Sequence, residues 1–299
     1  MTAAEEREAR LAVEPMRPAT PPAHFFQGTK ESLLQIWERR DLLNRLVRRE
    51  IRARYKDSVL GVIWSLIRPL VSLMIYYLAI GKVLGASRSI DDFAIYVFTG
   101  LTAWQLMSDS IMTATGSIVG NSGIIKKIQL PREIFPLSAV GASLFNFFMQ
   151  LIILIAAALL IRGIAFDGRL LYLPLSLLVI LVWGTALGMF LSAANVYFRD
   201  IQYLVEVILM VGMWASPIVY SWGMVSSHVG PVLSEIYMAN PMTLAVLGFQ
   251  KTLWLAGESS PTVSHLAVRL LIALGVGVVG LWLSQRIFSV MQRDFAQEL

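Results

Sequence analysis

Residues 134–161 read IFPLSAVGASLFNFFMQLIILIAAALLI and residues 170–198 read LLYLPLSLLVILVWGTALGMFLSAANVYF, and neither stretch contains an Asp, Glu, Lys or Arg. Each is longer than the roughly 20 apolar residues that cross about 30 Å of hydrocarbon as a helix. Four further stretches follow the pattern less purely: 63–84 with Arg68, Pro69 and Lys82, 93–115 with Asp109, 204–220 with Glu206, and 266–283 with Arg269. Six spanning helices are therefore expected. Composition agrees. Of 299 residues, 56% are hydrophobic and 15% charged, and mean hydropathy is +0.65, against about 25% charged in an ordinary soluble domain.

The net charge of +5 does not point to nucleic acid, because the basic residues flank apolar spans instead of forming a patch interleaved with aromatics. Lys and Arg accumulate in loops that stay inside. With the N-terminus inside, nineteen of the 25 Lys and Arg residues fall in inner segments and five in outer loops. Both termini are thus expected in the cytoplasm. There are no cysteines, which excludes disulfides and thiolate metal sites, and His24, His228 and His265 have no metal-ligand spacing. No metal site is expected.

Residues 1–28 hold Pro15, Pro18, Pro21 and Pro22 among mixed charges without an apolar signal segment, and are expected to be a disordered cytoplasmic tail. Residues 29–57 place Leu33, Ile36, Trp37, Leu43, Leu46, Val47, Ile51 and Tyr55 at helical spacing opposite seven arginines. That is the pattern of an amphipathic helix lying in the membrane interface, and Asp41 is a candidate cap dividing it in two. Residues 58–290 form the six-span domain and 291–299 a cytoplasmic C-terminal tail. Between spans five and six, Gly223, Gly230, Pro231 and Pro241 break an apolar stretch. Two outer re-entrant helices are expected there, about 225–238 and 242–255, packed on protein as irregular backbone at membrane depth must be.

Four motifs in this order resemble a known family. They are RYKDSVLGVIW at 54–64 running into Arg68-Pro69, IKKIQLPREIFP at 125–136, YFRDI at 197–201, and Asn240-Pro241. Over about residues 30–290 the chain resembles the ABC-2 type permeases of bacterial polysaccharide exporters, the Wzm and TarG group that carries O-antigen, teichoic acid or galactan. The resemblance implies an all-α integral membrane protein of the bacterial cytoplasmic membrane, working as a homodimer joined to two copies of a separate ABC ATPase. Its substrate would be lipid-linked (polyprenyl pyrophosphate) polysaccharide. The chain has no G-x-x-x-x-G-K-[ST] phosphate loop, since Gly81-Lys82 lacks both the upstream glycine and the following hydroxyl. ATP and Mg are therefore expected on the partner, and no cofactor on this chain.

Three groups of residues are candidates for function. Lys126, Lys127, Leu130, Pro131 and Arg132 lie in a short loop stiffened by Pro131 and Pro136. Such a loop either passes a rigid movement of the ATPase to the spans or merely fixes topology. Arg49, Arg52, Arg54, Lys56 and Arg68 can hold the anionic lipid head-group of the substrate, since guanidinium forks match phosphate oxygens. They serve equally to bind anionic membrane lipids, and Arg68 to snorkel. Tyr76, Trp104, Asp109 and Trp214 are candidates for the translocation pathway. Aromatic faces let sugar rings slide, and a carboxylate within a span needs water or a partner; interface anchoring and, for Asp109, a place near the inner interface are the alternatives. The first alternative is an ABC-2 exporter of drugs or simple lipids, against which the re-entrant segment and the basic amphipathic helix resemble the polysaccharide branch. From other classes, a glycosyl or acyl transferase would show paired carboxylates or a His-rich site, and a proton-driven transporter more buried acids than Asp109 and Glu206. Neither pattern is present.

Overall fold

The computed structural model describes residues 28–56, 63–127, 130–161, 163–164, 167–259 and 263–299. The expected tail at 1–28 lies almost wholly outside them, as do Asp57 to Val62 of the first motif and Ile128 and Gln129 of the second; of Arg68, only the backbone is described. Among the described residues every regular element is helical.

The amphipathic stretch forms two helices, α1 (Thr29–Glu38) and α2 (Arg40–Tyr55). The break falls at Arg39; Asp41 sits in the first turn of α2 and does not cap it. α1 leaves Leu33, Leu34 and Trp37 exposed, whereas α2 turns Leu42, Leu43 and Leu46 into an apolar cluster. α3 (Trp64–Tyr76) continues as a π-helical segment, Tyr77–Val83. α4 (Phe93–Gly120) is followed by the short α5 (Ser122–Ile125), α6 (Ile134–Ile161) and α7 (Tyr172–Tyr197). α8 (Ile201–Trp214) ends well before residue 220. The segment expected to hold two re-entrant helices holds three: α9 (Trp222–His228), α10 (Pro231–Met238) and α11 (Pro241–Leu253). Gly230-Pro231 divides the first expected helix, because the proline ring opens a new helix at its first position. α12 (Leu266–Met291) and α13 (Phe295–Glu298) complete the chain.

Among the described residues, three helical segments are long and apolar enough to cross a membrane: α6, Gly168–Tyr197 containing α7, and α12. The pair α10 and α11, bent by 82°, makes a fourth if it is one broken span. α12 exposes Leu271, Ile272, Val276 and Val279, and α6 exposes Ile152 and Leu160; helices with apolar residues outside as well as inside belong in lipid.

α4 is the hub, packed against α3, α6, α7, α8 and α11, which explains how a helix carrying Asp109 and many hydroxyls is accommodated. Thr99 and Thr115 donate to the carbonyls of Ile95 and Ile111 at 2.7 Å, and so satisfy themselves. The seam with α7 is a small-residue contact. Gly184 and Gly188, four apart, face Ser110 and Ala114 of α4, the spacing that lets two helix backbones approach. Asn195 of α7 donates to the Thr115 carbonyl across the same seam at 3.2 Å.

At one end of the bundle the irregular turn between α8 and α9 is held by side chains from two helices. The Tyr96 hydroxyl is within reach of the carbonyls of Pro217 (2.9 Å) and Tyr220 (2.7 Å), and Gln250 Nε2 donates to Pro217 at 2.9 Å. At the opposite end α2, α5, the start of α6 and the ends of α7 and α12 meet in one apolar cluster.

Candidate functional site

A cavity of about 680 Å³ opens among five helices and is lined by Arg54 and Tyr55 of α2, Trp64, Pro69, Ser72 and Tyr76 of α3, Leu101, Trp104, Gln105 and Asp109 of α4, Asn146 and Gln150 of α6, and Met213 of α8. Helical periodicity builds this wall. Leu101, Gln105 and Asp109 share one face of α4, and Asn146 and Gln150 stand one turn apart on α6. Gln105 Nε2 donates to Asp109 Oδ1 at 2.8 Å, and the Tyr55 hydroxyl donates to Asn146 Oδ1 at 2.7 Å. Gln150 is buried, and its Oε1 has no hydrogen-bond partner among the described residues. The Trp104 indole reaches α8 because residue 212 is glycine: a Cβ there would lie 2.9 Å from Trp104 Cη2.

Three pathway candidates read from the sequence, Tyr76, Trp104 and Asp109, thus line one space, together with Arg54 from the head-group set. Trp214 does not. It is 51% exposed on a side of α8 that also exposes Tyr203, Val207, Ile208 and Val211. The sequence reading missed Gln105, Asn146, Gln150 and Tyr55. Asn146 and Gln150 were legible as two amides at helical spacing inside an otherwise apolar span, a signal hidden when only charged residues are sought.

Arg45, Arg48, Arg49, Arg52 and Lys56 line an open groove of about 990 Å³ along α2. Arg49 donates to Asn121 at the end of α4 and to Glu50 Oε1 at 2.7 Å, which ties α2 to the bundle. Arg52, Arg54 and Lys56 remain exposed. Val47, on the other side of α2, packs where Gly141 leaves room on α6.

In the loop before α6, Lys126 and Lys127 are exposed, Leu130 and Pro131 half-buried. The Arg132 guanidinium lies 5.7 Å over the Phe295 ring. Glu133 is 3% exposed and accepts from Gln292 Nε2 at 3.4 Å. Burial pushes its carboxyl up from the ordinary value, against the pull of Gln292, Arg286 and Arg132. The segment 291–299, expected as a tail, is therefore packed into the fold: Phe295 and Gln292 are both buried.

Residues 41–254 match the family model described as ABC-2 type transporter. The chain is also similar to proteins named O-antigen export system permease protein RfbA. One, from Myxococcus xanthus, is 28% identical over 269 residues, covering 89% of this chain and 98% of that protein. Two from Klebsiella pneumoniae are 28% identical over 212 residues (71% and 79% covered) and 27% identical over 260 (87% and 95%). A family match running from the first turn of α2 to the residue after α11 takes in the arginine groove, every helix that lines the cavity and the proline-framed loop, and on that ground the chain belongs to the ABC-2 type transporter family.

Proposed function

We propose that this chain is the membrane-spanning permease subunit of an ATP-driven exporter of lipid-linked polysaccharide, with no catalytic residue of its own. The observation that carries the reading is the cavity lining. Amides and a carboxylate (Gln105, Asp109, Asn146, Gln150) alternate with flat aromatic faces (Tyr55, Trp64, Tyr76, Trp104), the combination that hydrogen-bonds sugar hydroxyls while stacking on ring faces. The similarity to O-antigen export permeases over most of the chain supports the same substrate class.

In this reading α3 with its π-helical continuation, α4, α6, α7, α8 and α12 are six spans, α9 to α11 form the outer re-entrant segment, and both termini face the cytoplasm of a bacterial inner membrane. The arginine groove of α2 gathers the pyrophosphate head at the inner leaflet, and Arg54 hands it to the cavity. Two copies of the chain enclose the route, and Trp214 joins it from the exposed side of α8. Two ATPase subunits bind Mg and ATP and act on the loop 126–136.

The test is to deplete the protein in its native cell and follow lipid-linked glycan, then to complement with variants. Glycan should accumulate on the cytoplasmic side. Trp104→Ala should lower export about two- to twelvefold with normal membrane insertion, because it removes a stacking face worth about 0.5–1.5 kcal/mol beyond its area. Normal glycan export alongside the loss of a small-molecule efflux activity would refute the assignment.

A further inference from the structure

Phe295 belongs to a helix of only four residues, yet it is fully buried. Its ring meets Tyr197 of α7 at 6.2 Å and Phe288 of α12 at 5.5 Å, both edge-on, and receives the Arg132 guanidinium on its face. Three residues earlier, Gln292 reaches Glu133. The Tyr197 hydroxyl donates to the Met291 carbonyl at 2.8 Å, which pins the end of α12 to the end of α7. Leu42, Leu43 and Leu46 of α2, Ile125 of α5 and Ile134 and Phe135 of α6 pack into the same cluster, as does Leu299.

We propose that the segment Gln292 to Leu299 is a coupling strut, with Phe295 and Gln292 as positioning residues that lock Arg132 and Glu133 of the loop to the ends of α7 and α12. The proposal rests on the reading of the loop 126–136 as the site where the ATPase acts. Arg132 and Glu133 are the last residues of that loop before α6 begins at Ile134, so a push on the loop enters the bundle through them. What happens next depends on how those two residues are held. Without Phe295, Arg132 would stand over a void, and the loop would give locally. With Phe295 in place, the guanidinium rests on a ring wedged between two long helices, and the carboxylate is tied to Gln292. Packed interiors transmit displacement because they are close to incompressible. The movement therefore passes into α7 and α12, and into α2 through Leu42, Leu43 and Leu46.

Two measurements test this, one of which needs neither ATPase nor substrate. Hydrogen exchange at residues 130–137 of the purified full-length chain should speed up at least tenfold in Phe295→Ala and less in Phe295→Leu, which keeps the cluster filled; Gln292→Ala, a milder change, should act in the same direction. In the reconstituted complex with its ATPase, glycan exported per ATP hydrolysed should fall at least threefold in Phe295→Ala and Gln292→Ala and be largely retained in Phe295→Leu. Unchanged exchange in the loop overturns the strut. Faster exchange with an unchanged export-to-ATP ratio, or a loss of both activities in proportion to a lower yield of complex, overturns coupling and leaves the segment as a plug that closes the fold. If the unmodified complex hydrolyses ATP but moves no glycan, the transport reading itself fails, and the coupling role falls with it.

Discussion

Substituting Gly188 by Ala adds one methyl group to the α4–α7 seam, where an ideal Cβ would stand 2.6 Å from Ala114 Cβ and 3.4 Å from the Ser110 carbonyl oxygen. Carbon atoms in contact prefer about 3.5–4.0 Å, so the methyl is short by about 1 Å. Neither neighbour can rotate away, because one is a Cβ and the other backbone. The helices must separate, thinning the contacts of Ser110 and Asn195 as well. Overpacking of this kind costs about 1–3 kcal/mol. Ala gains ~1 kcal/mol over Gly in helix propensity, so the net loss should be roughly 0–2 kcal/mol, and about 1–3 kcal/mol relative to a glycine replaced where there is room. Gly275 on α12 is the control, since a Cβ there meets nothing within 4 Å, and Gly275→Ala should be neutral or stabilising. The assay is equilibrium unfolding of the purified chain by SDS in mixed micelles. Adding Ala114→Gly to Gly188→Ala moves the methyl across the seam and should recover most of the loss, a coupling of about 1–3 kcal/mol in the double-mutant cycle. Gly188→Ala as stable as Gly275→Ala would refute the close seam.

Glu133→Gln tests the buried carboxyl through pH. Its folded value is raised above 4.5, so the folded state holds the proton more tightly than the unfolded one. Stability of the unmodified chain should then fall as pH rises from 4.5 through the raised value, while the Gln variant does not share that slope. The gap in unfolding midpoints should be smallest in acid and widen with pH; the opposite trend would mean that Arg132 and Arg286 outweigh burial. Reversing Lys126 and Lys127 to Glu should leave stability within about 0.5 kcal/mol, since both are exposed. Binding to the ATPase should weaken, with the deficit dependent on salt; co-purification at two ionic strengths reads it, with Arg293→Glu, also exposed, as the control.

Periodicity and length made the outline of the fold legible. The purely apolar spans at 134–161 and 170–198 emerged as α6 and α7 with ends nearly as expected, because a helix in lipid needs little besides apolar length. The amphipathic stretch was legible as helix, but its partner was not: the arginine face announces a membrane surface, whereas the packing of Val47 on Gly141 depends on a residue 94 positions away. Asp109 was legible as a polar residue seeking company, and Gln105 four residues earlier supplies part of it. Trp214 and Trp104 looked equivalent in sequence. Which one faces the cavity is decided by the rotation of α8 against α4, set by contacts that no local pattern records. Nothing in the local sequence marks Arg286 as buried, yet it is 3% exposed and lies beside Glu133.

The tie from Tyr96 to Pro217 and Tyr220 spans 121 and 124 positions of sequence, and this sets the order in which the protein can be made. At about 5–20 residues per second, translation needs roughly 6–25 s to travel from the hydroxyl to its acceptors, and longer to deliver Gln250. During that interval α4 is already synthesised while the turn it will clasp does not exist. The end of the bundle that holds the turn between α8 and α9 therefore closes late in synthesis, after the ribosome has passed α8, and until then the Tyr96 hydroxyl must be served by water, lipid head-groups or the insertion machinery.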